Sequence, residues 1–576
     1  MKGRTLLERH CSSGVSIGEC AGESYPPPGR QPIVKVRPIA VVLAGLCLGS
    51  VLFAAQLWTW VLNFDPAFEF RHPPAVTGEP LTPSVTLLLI DGLRLDASRR
   101  MPTLNALRAQ GADIEAQVGT PSFSRPGRAT IAVGAPPAIH GVTSNRQKRA
   151  IPLDNILRRV ADIKGSCRVA GSLIWSSLFS ADIARCGVYR TEDGKEGPGT
   201  FVADIGAIRA GHADGLDFVL REPATLRIAD IVATDFAAHE YGGASPEYAN
   251  EISLTDATLA GLVRRLDLSR ETLIVTADHG HRDLGGHGGD EPEVLTIPIV
   301  MVGAGIRPGV SLKAQQADIA PTVAALLGTS LPAATSGHPL AAALLMDDTK
   351  AAAVKAADAA QSAGLDQALI ARLGARRAAI AERGWQALTE TYRMDVLLRR
   401  VPLAGGIVLA IFLGSVTAIL MARPMPGPFV CGFLTSLVLF AGPTRWALPV
   451  LSFSAINYDQ MLIPFFVRVM SVATLTALLS MIVGLFVWRR MDGVSGAGSA
   501  ASVAGSIGLG CTAVLALWTS ATWLHDGLLV PYALPGPNQL VLGYCLTLSV
   551  MSVSAATLLV LGVLSLSSRR TSATSI

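Results

Sequence analysis

The last third of the chain is almost free of charge, and this constrains the fold more than any other feature. Residues 401–576 hold only ten charged side chains, seven Arg and three Asp, among long apolar runs. Apolar segments of about 20 residues can cross a bilayer, where only a helix or a closed barrel satisfies its own backbone hydrogen bonds. We predict an all-α membrane domain at 401–570 of about five helices, near 401–421, 428–446, 463–488, 502–523 and 538–566.

A sixth apolar segment lies near the N-terminus and predicts a transmembrane anchor at 38–64. It is uncharged, ends in aromatic residues and is longer than the core of a signal peptide. Lys35 and Arg37 precede it, and positive residues favour the cytoplasmic side. With about six transmembrane helices in total, this orientation places the region between the anchor and residue 401 outside the cytoplasmic membrane.

The middle of the chain predicts an α/β domain at 84–345. Short β-branched runs, such as 85–90, 228–232 and 297–302, alternate there with helical stretches, and this alternation favours a mostly parallel sheet flanked by helices. The remaining segments are a disordered cytoplasmic tail at 1–37, a linker at 65–83 and a helical connector at 346–400. The net charge of +4 gives no indication of a nucleic-acid partner.

Four segments of the α/β domain place carboxylates, imidazoles or hydroxyls after a strand, where ligands gather in open α/β sheets. Any one of them has an ordinary explanation as a cap, a turn or a solvated helix face. Their occurrence together indicates a site for Zn²⁺ or a similar metal, because carboxylate and imidazole ligands suit such ions. The residues are Asp91, Ser124 with its neighbouring hydroxyls, Asp235 with His239, and Asp278, His279 and His287.

These motifs resemble the alkaline phosphatase superfamily, in its phosphodiesterase/nucleotide pyrophosphatase branch. Within that branch the chain looks most like the glycosylphosphatidylinositol (GPI) ethanolamine phosphate transferases, which also combine an anchor, an outer catalytic domain and a multi-span domain. The resemblance covers about residues 84–330. The motifs that carry it are Asp91-Gly92-Leu93-Arg94-Leu95-Asp96, Ser124-Arg125-Pro126-Gly127, Thr276-Ala277-Asp278-His279-Gly280, Gly286-His287-Gly288 and Asp318-Ile319-Ala320-Pro321-Thr322.

The resemblance implies a site with two divalent metal ions, in the first place Zn²⁺, with Mn²⁺ or Mg²⁺ as alternatives. Ser124 would be the nucleophile, since a bound metal makes its alkoxide available at neutral pH and a phosphoserine would form. The amides at the start of the following helix would favour the phosphoryl oxygens. One ion would be held by Asp235, His239 and His287, and the other by Asp91, Asp278, His279 and Ser124.

The implied activity is transfer of phosphoethanolamine or a similar group to a lipid or a lipid-linked glycan, with a phospholipid and the membrane as partners. Three alternatives stay open: a phosphodiesterase or nucleotide pyrophosphatase that uses water, a serine-type sulfatase, and a lipid-handling membrane module. The sulfatase alternative arises because Ser124-x-Pro-x-Arg128 matches the serine form of that signature.

Several residues have two interpretations at this stage. Ser122 is a second hydroxyl near Ser124 and the alternative nucleophile. Cys167 and Cys186 form either a disulfide or two separate buried thiols. The chain departs from the relatives' pattern with Arg128 in place of a histidine and Ala238 in place of a glycine. The residues that either contact the phosphate or headgroup or form structural ion pairs are Arg94, Arg125, Arg128 and His281.

Overall fold

The computed structural model describes nine segments of the chain, and every structural statement below concerns these residues. They are 36–62, 76–147, 149–190, 205–373, 425–447, 453–456, 462–492, 497–525 and 536–573.

An eight-stranded sheet forms the centre of the α/β domain, with the strand order β4-β3-β5-β1-β6-β7-β2-β8. Seven strands run in one direction, and β7 is antiparallel to both of its neighbours, β6 and β2. The strands are β1 Val85–Ile90, β2 Ala112–Gln117, β3 Cys167–Gly171, β4 Gly187–Arg190, β5 Leu226–Ile231, β6 Thr272–Thr276, β7 Thr296–Gly303 and β8 Val310–Gln315.

Helix α1, Val36–Leu62, precedes the sheet in the chain and packs on the C-terminal helices. The helices of the α/β domain and the helix that follows it are α2 Leu95–Ser98, α3 Pro102–Gln110, α4 Ser124–Val133, α5 Pro137–His140, α6 Ile156–Asp162, α7 Leu173–Leu178, α8 Ser180–Ile183, α9 Ile205–Leu220, α10 Ala233–Tyr241, α11 Pro246–Val263, α12 Pro292–Leu295, α13 Ile319–Leu327 and α14 Asp348–Leu373. Two short 3₁₀ turns lie at Gln316–Asp318 and Ala341–Ala343.

The predicted α/β class with a mostly parallel sheet is confirmed. Strands β1, β5 and β6 are buried along their whole length, as expected for strands that helices cover on both faces. The antiparallel β7 was not predicted. Between β6 and β7 the chain forms only the four-residue α12, whereas a parallel connection needs a crossover of a dozen or more residues that is usually a helix.

A disulfide joins Cys167 at the start of β3 to Cys186 just before β4, which resolves the alternatives for these two residues. The two strands are parallel neighbours at the edge of the sheet. The bond closes a loop of 19 residues and ties the outermost strand to the rest of the sheet.

Helices dominate the described part of the C-terminal third: α15 Pro426–Ala447, α16 Phe453–Ile456, α17 Leu462–Asp492, α18 Ala497–His525 and α19 Pro537–Ala573. Within the described segments, four helices are long and apolar enough to cross a membrane, and their apolar parts are Val36–Leu57, Pro464–Arg490, Ala500–Trp523 and Asn538–Ser567. The described apolar part of α15, Pro426–Val438, is shorter.

The total of six transmembrane helices is thus not confirmed. The predicted span near 401–421 lies outside the described residues, as do most of the predicted tail, much of the linker and the second half of the connector.

Candidate active site

Two neighbouring strands bring the first group of predicted ligands together. β1 and β6 are hydrogen-bonded in parallel, so Asp91 after β1 and Asp278 after β6 emerge at the same edge of the sheet. His279 Nε2 lies 3.3 Å from Asp91 Oδ1 and 3.6 Å from Asp278 Oδ2. Ser124 Oγ lies 3.2 Å from the same His279 nitrogen. The four predicted members of this half of the site therefore meet.

Ser124 is the first residue of α4, and a glycine lets that helix approach the end of β6. A Cβ added at Gly127 would lie 2.8 Å from both the Cβ and the carbonyl oxygen of Asp278, closer than such atoms can pack. Gly127 is therefore the residue that allows the nucleophile segment to lie directly against the carboxylate segment.

The second group of predicted ligands lies beside the first. His239 Nε2 is 3.0 Å from His287 Nε2 and 3.5 Å from Asp235 Oδ2. His281, which the sequence left outside the ligand set, belongs to the same cluster, because its Nε2 is 2.7 Å from Asp235 Oδ1. His279 connects the two halves, since its ring stacks on His287 with centroids 3.7 Å apart.

The ligand atoms of this centre suit divalent ions. Those of Asp235, His279, His281 and His287 all lie within 4.8 Å of one another, and so do those of Asp91, Asp278 and His279. Two nitrogens bound to a tetrahedral Zn²⁺ at about 2.0–2.1 Å would lie roughly 3.3 Å apart, close to the His239–His287 separation of 3.0 Å.

Unpaired buried atoms point to the same conclusion. Among the described residues, the buried atoms Asp91 Oδ1 and His281 Nδ1 have no hydrogen-bond partner. A buried carboxylate oxygen without a partner costs free energy that a bound cation would offset.

The electrostatics of the protein alone also favour cations. Burial, with the nearby charges of Asp235 and Asp278, raises the pKa of Asp91 well above its usual range. Burial acts in the same direction on Asp235, but His239, His281 and His287 outweigh it and hold its pKa well below the usual range. Burial lowers the pKa of His281 to about 4 and that of His287 well below its ordinary value. Both imidazoles are therefore neutral at pH 7, the form that binds a metal.

Arg128 does not face a substrate cavity. Its side chain is fully buried and pairs with three carboxylates: Asp91 and Asp230 at 2.8 Å and Asp278 at 2.6 Å. The structure thus favours the ion-pair interpretation of Arg128 over the headgroup contact. Two of these carboxylates, Asp91 and Asp278, belong to the predicted ligand set. Arg128 therefore orients them from outside the ligand cluster, as hydrogen-bond partners of metal ligands do.

Arg94 and Arg125 are also buried and engaged by the protein. Arg94 pairs with Asp96 and Asp283, and Arg125 Nε donates to Asn145 O at 2.8 Å. Arg94 Nη1 also donates to His281 O at 3.3 Å, so Arg94 holds the backbone of a residue in the cluster.

The hydroxyl of Ser122 has a structural role, which separates it from Ser124. It accepts from Gly288 N at 3.1 Å and donates to Gly289 O at 2.8 Å. Ser124 is the hydroxyl that contacts the ligand cluster.

The expected contribution of the α4 amides is largely taken up within the protein. Arg125 N donates to Asn145 Oδ1 and Gly127 N donates to Phe123 O, and Pro126 has no N–H to offer. The charge of a bound phosphoryl group is therefore left mainly to cations.

Asp230 is a residue of the site that the sequence did not single out. It lies in β5, is 2% exposed, and receives hydrogen bonds from Arg128 and from Trp175 Nε1. A carboxylate between Ala229 and Ile231 in a predicted buried strand was the available signal, since such a group is rarely buried without a charged partner.

Comparison with known proteins agrees with this site. The type I phosphodiesterase / nucleotide pyrophosphatase model matches residues 85–179, which carry Asp91 and Ser124. The Metalloenzyme superfamily model matches residues 213–331, which carry Asp235 and all four ligand-cluster histidines. The two matches cover most of the α/β region, and the predicted resemblance to the alkaline phosphatase superfamily is confirmed.

Among curated proteins the chain is similar to GPI ethanolamine phosphate transferases. It is 26% identical over 286 residues to the catalytic subunit of human GPI ethanolamine phosphate transferase 3. This alignment covers 45% of this chain and 25% of that protein. It is 24% identical over 344 residues to transferase 1 of Yarrowia lipolytica, with 51% and 34% covered. The chain therefore spans only about a quarter to a third of the length of these relatives.

Among solved structures, murine ectonucleotide pyrophosphatase / phosphodiesterase 5 matches with 14% identity and a TM-score of 0.36. The match covers 43% of this chain and 96% of that one.

Proposed function

We propose that the chain is a membrane-anchored, metal-dependent phosphotransferase that moves phosphoethanolamine or a similar group from a phospholipid to a lipid-linked glycan. The observation that carries the proposal is Ser124 Oγ at the start of α4, 3.2 Å from His279 and beside two clusters of metal-type ligands. The similarity to GPI ethanolamine phosphate transferases supports phosphoethanolamine as the group and a GPI-type glycan as the acceptor.

The ligand assignment follows from the two clusters and from the distances of His239 to His287 and Asp235. One divalent ion would be held by Asp91, Asp278, His279 and Ser124. The other would be held by Asp235 and the histidines 239, 281 and 287. Bound ions would supply Lewis acidity at the serine oxygen and at the leaving oxygen.

The remaining chemistry belongs to Ser124. Ser124 loses its hydroxyl proton to water, its oxygen attacks the phosphorus of a phosphodiester, the bond from phosphorus to the lipid alcohol breaks, and the departing alkoxide takes a proton from water. The group is then carried on Ser124 as a phosphodiester that still holds its ethanolamine. A hydroxyl of the acceptor attacks the phosphorus and loses its proton to solvent, and the bond from phosphorus to Ser124 breaks, so that the serine oxygen takes up a proton again. Water as the acceptor would give the phosphodiesterase reaction instead.

Two observations support an extracytoplasmic position for the catalytic domain. A disulfide between Cys167 and Cys186 is typical of proteins in oxidising compartments. The first turns of α17 and α19 lie on the side of the α/β domain, whereas Arg489 and Arg490 end α17 at its opposite end. Positive residues favour the cytoplasmic face.

The test uses the purified full chain with Zn²⁺ or Mn²⁺ and four substrates: a phospholipid with a glycan acceptor, a soluble phosphodiester, a phosphomonoester and a sulfate ester. We expect turnover of the diesters, loss of turnover on chelation, and a phosphodiester adduct trapped on Ser124 after acid quenching. Ser124→Ala and His287→Ala should lose activity by several orders of magnitude.

Two control variants make the result specific. Ser253→Ala changes an exposed hydroxyl on α11 and should be as active as wild type. Ser122→Ala should still give a phosphodiester adduct on Ser124. Turnover of the sulfate ester alone, or full activity in Ser124→Ala, would refute the proposed mechanism.

A further inference from the structure

The loop that carries His287 is held by α16, a four-residue helix ahead of α17, and by the start of the membrane helix α19. Gly289 N donates to Ser454 Oγ at 2.7 Å, and Ser454 Oγ donates to Glu291 Oε2 at 2.6 Å. Between these two, Asp290 Oδ1 accepts from Asn538 Nδ2 at 2.6 Å. Three consecutive residues of one loop therefore contact α16 and the start of α19, more than 160 positions later in the chain.

The other side of the same loop lies on the nucleophile segment. His287 Nδ1 is 3.1 Å from Ser122 O, and Ser122 Oγ accepts from Gly288 N. A Cβ on Gly288 would lie 2.3 Å from the ring of Phe123, the residue directly before Ser124. The loop is thus enclosed between the nucleophile segment and the membrane helices.

Aromatic packing continues this contact into the membrane domain. The ring of Phe453 lies 5.6 Å from that of Phe123, which in turn lies 5.7 Å from His287. On its other side Phe453 packs against Val469 and Val541, which belong to α17 and α19. Packed side chains therefore connect the membrane helices to a ligand histidine without a break.

The contact leaves little room for movement. Phe453 N donates to Asn538 Oδ1 at 3.0 Å, which ties α16 to α19. Ser454 is fully buried, and a Cβ at Gly289 would lie 2.6 Å from its hydroxyl.

We propose that Phe453, Ser454 and Asn538, the membrane clamp, are positioning residues of the active site. They fix the loop at 286–291 and with it the imidazole of His287, so the ligand geometry depends on the α/β domain being seated on its membrane helices. The clamp also places the centre where these helices begin, beside the bilayer that supplies a lipid substrate. The inference rests on the proposed function only through the role of His287 as a ligand.

The first experiment measures amide hydrogen exchange in the metal-free full chain in detergent. Ser454→Ala removes the acceptor of Gly289 N, so exchange of a peptide covering 286–291 should rise by roughly 2- to 10-fold, the change expected for one hydrogen bond. Ser454→Thr keeps the hydroxyl and should restore protection. Ser480→Ala removes a buried hydroxyl in the middle of α17 that donates to Thr476 O and should leave the loop unchanged. Unchanged exchange in Ser454→Ala would overturn the clamp.

The second experiment measures Zn²⁺ affinity by competition with a chelator, followed by determination of bound metal. Loss of a partner that orients a ligand costs about 10- to 100-fold in metal affinity, so Ser454→Ala should bind Zn²⁺ that much more weakly than Ser480→Ala. With a soluble phosphodiester, kcat should fall at low Zn²⁺ and recover at high Zn²⁺.

These measurements separate the clamp from the proposed function. Weaker Zn²⁺ binding in Ser454→Ala, in a protein that transfers no phosphoethanolamine, would support the clamp and refute the function. Wild-type affinity and activity in Ser454→Ala, in a protein that does transfer it, would refute the clamp and leave the function in place. If the wild type binds no Zn²⁺, the hydrogen-exchange experiment alone decides whether Ser454 holds the loop at 286–291.

Discussion

Arg128 offers the sharpest test of how the site is built. Its guanidinium is fully buried and lies within 2.8 Å of oxygens of Asp91, Asp230 and Asp278. Arg128→Met keeps a long side chain of similar reach and removes the charge. It leaves three buried carboxylates that share no cation in the metal-free protein. We expect the metal-free α/β domain to be strongly destabilised.

The magnitude follows from the geometry of the ion pairs. Removing one partner of a buried, hydrogen-bonded pair costs about 3–5 kcal/mol, because the other charge stays buried without compensation. Burial already raises the pKa of Asp91 and that of Asp230. In the variant one of these carboxyls can therefore bind a proton, which keeps the loss of stability within this range. In domains of about 150–250 residues each kcal/mol shifts the thermal midpoint by about 2–4 °C, which gives a fall of roughly 6–20 °C.

The assay is thermal unfolding of the full chain in detergent at pH 7, with and without Zn²⁺. Zn²⁺ should raise the midpoint of Arg128→Met more than that of the wild type, because the ion replaces the missing positive charge. Arg265→Met removes an exposed ion pair with Asp217 and should change the midpoint by at most about 4 °C, since such pairs contribute about 0–1 kcal/mol. A metal-free Arg128→Met protein with the same thermal midpoint as Arg265→Met would refute the reasoning.

Three further predictions use other parts of the domain. Gly127→Ala improves the helix propensity of α4. It should nevertheless reduce both thermal stability and metal affinity, because the new Cβ meets Asp278. A variant more stable than wild type would contradict this prediction. Burial lowers the pKa of His212 from 6.5 to about 4. The stability that neutral His212 contributes is therefore fully present above pH 6.5 and is lost as the pH falls towards 4. Thermal unfolding of wild type and His212→Gln should show their difference in stability shrinking by about 3 kcal/mol between pH 6.5 and pH 4. A difference that does not change with pH would refute this prediction. Replacing Cys167 and Cys186 by Ala should lower the free energy of unfolding by about 3 kcal/mol, as expected for a loop of about 20 residues, and chemical denaturation would show no change if the bond were not formed.

Much of the site follows from local sequence patterns. The apolar runs that end in Asp91 and Asp278 become buried strands β1 and β6, and Ser124 begins a helix. Strand ends and helix starts depend on the order of nearby residues, so a single sequence indicates them. Their convergence was predictable because parallel strands present their carboxyl ends at the same edge of a sheet.

Other parts of the site could not be predicted, because they depend on contacts between distant residues. His281 was set aside by motif comparison, yet its ring faces Asp235, 46 positions earlier. The partners of Arg128 are 37, 102 and 150 positions away. No local pattern indicates which carboxylates share a guanidinium.

The sequence by itself determined the division into an α/β domain and apolar membrane helices, the predominantly parallel sheet and the residue types of a metal centre. These depend on hydropathy, periodicity and side-chain chemistry, which are properties of short segments. Only the tertiary structure decided that β7 is antiparallel, that Arg128 is enclosed by carboxylates and that Ser454 of α16 holds the loop of His287. Each of these results from packing between segments that the chain order keeps far apart, and the free energy of such packing is not a property of either segment alone.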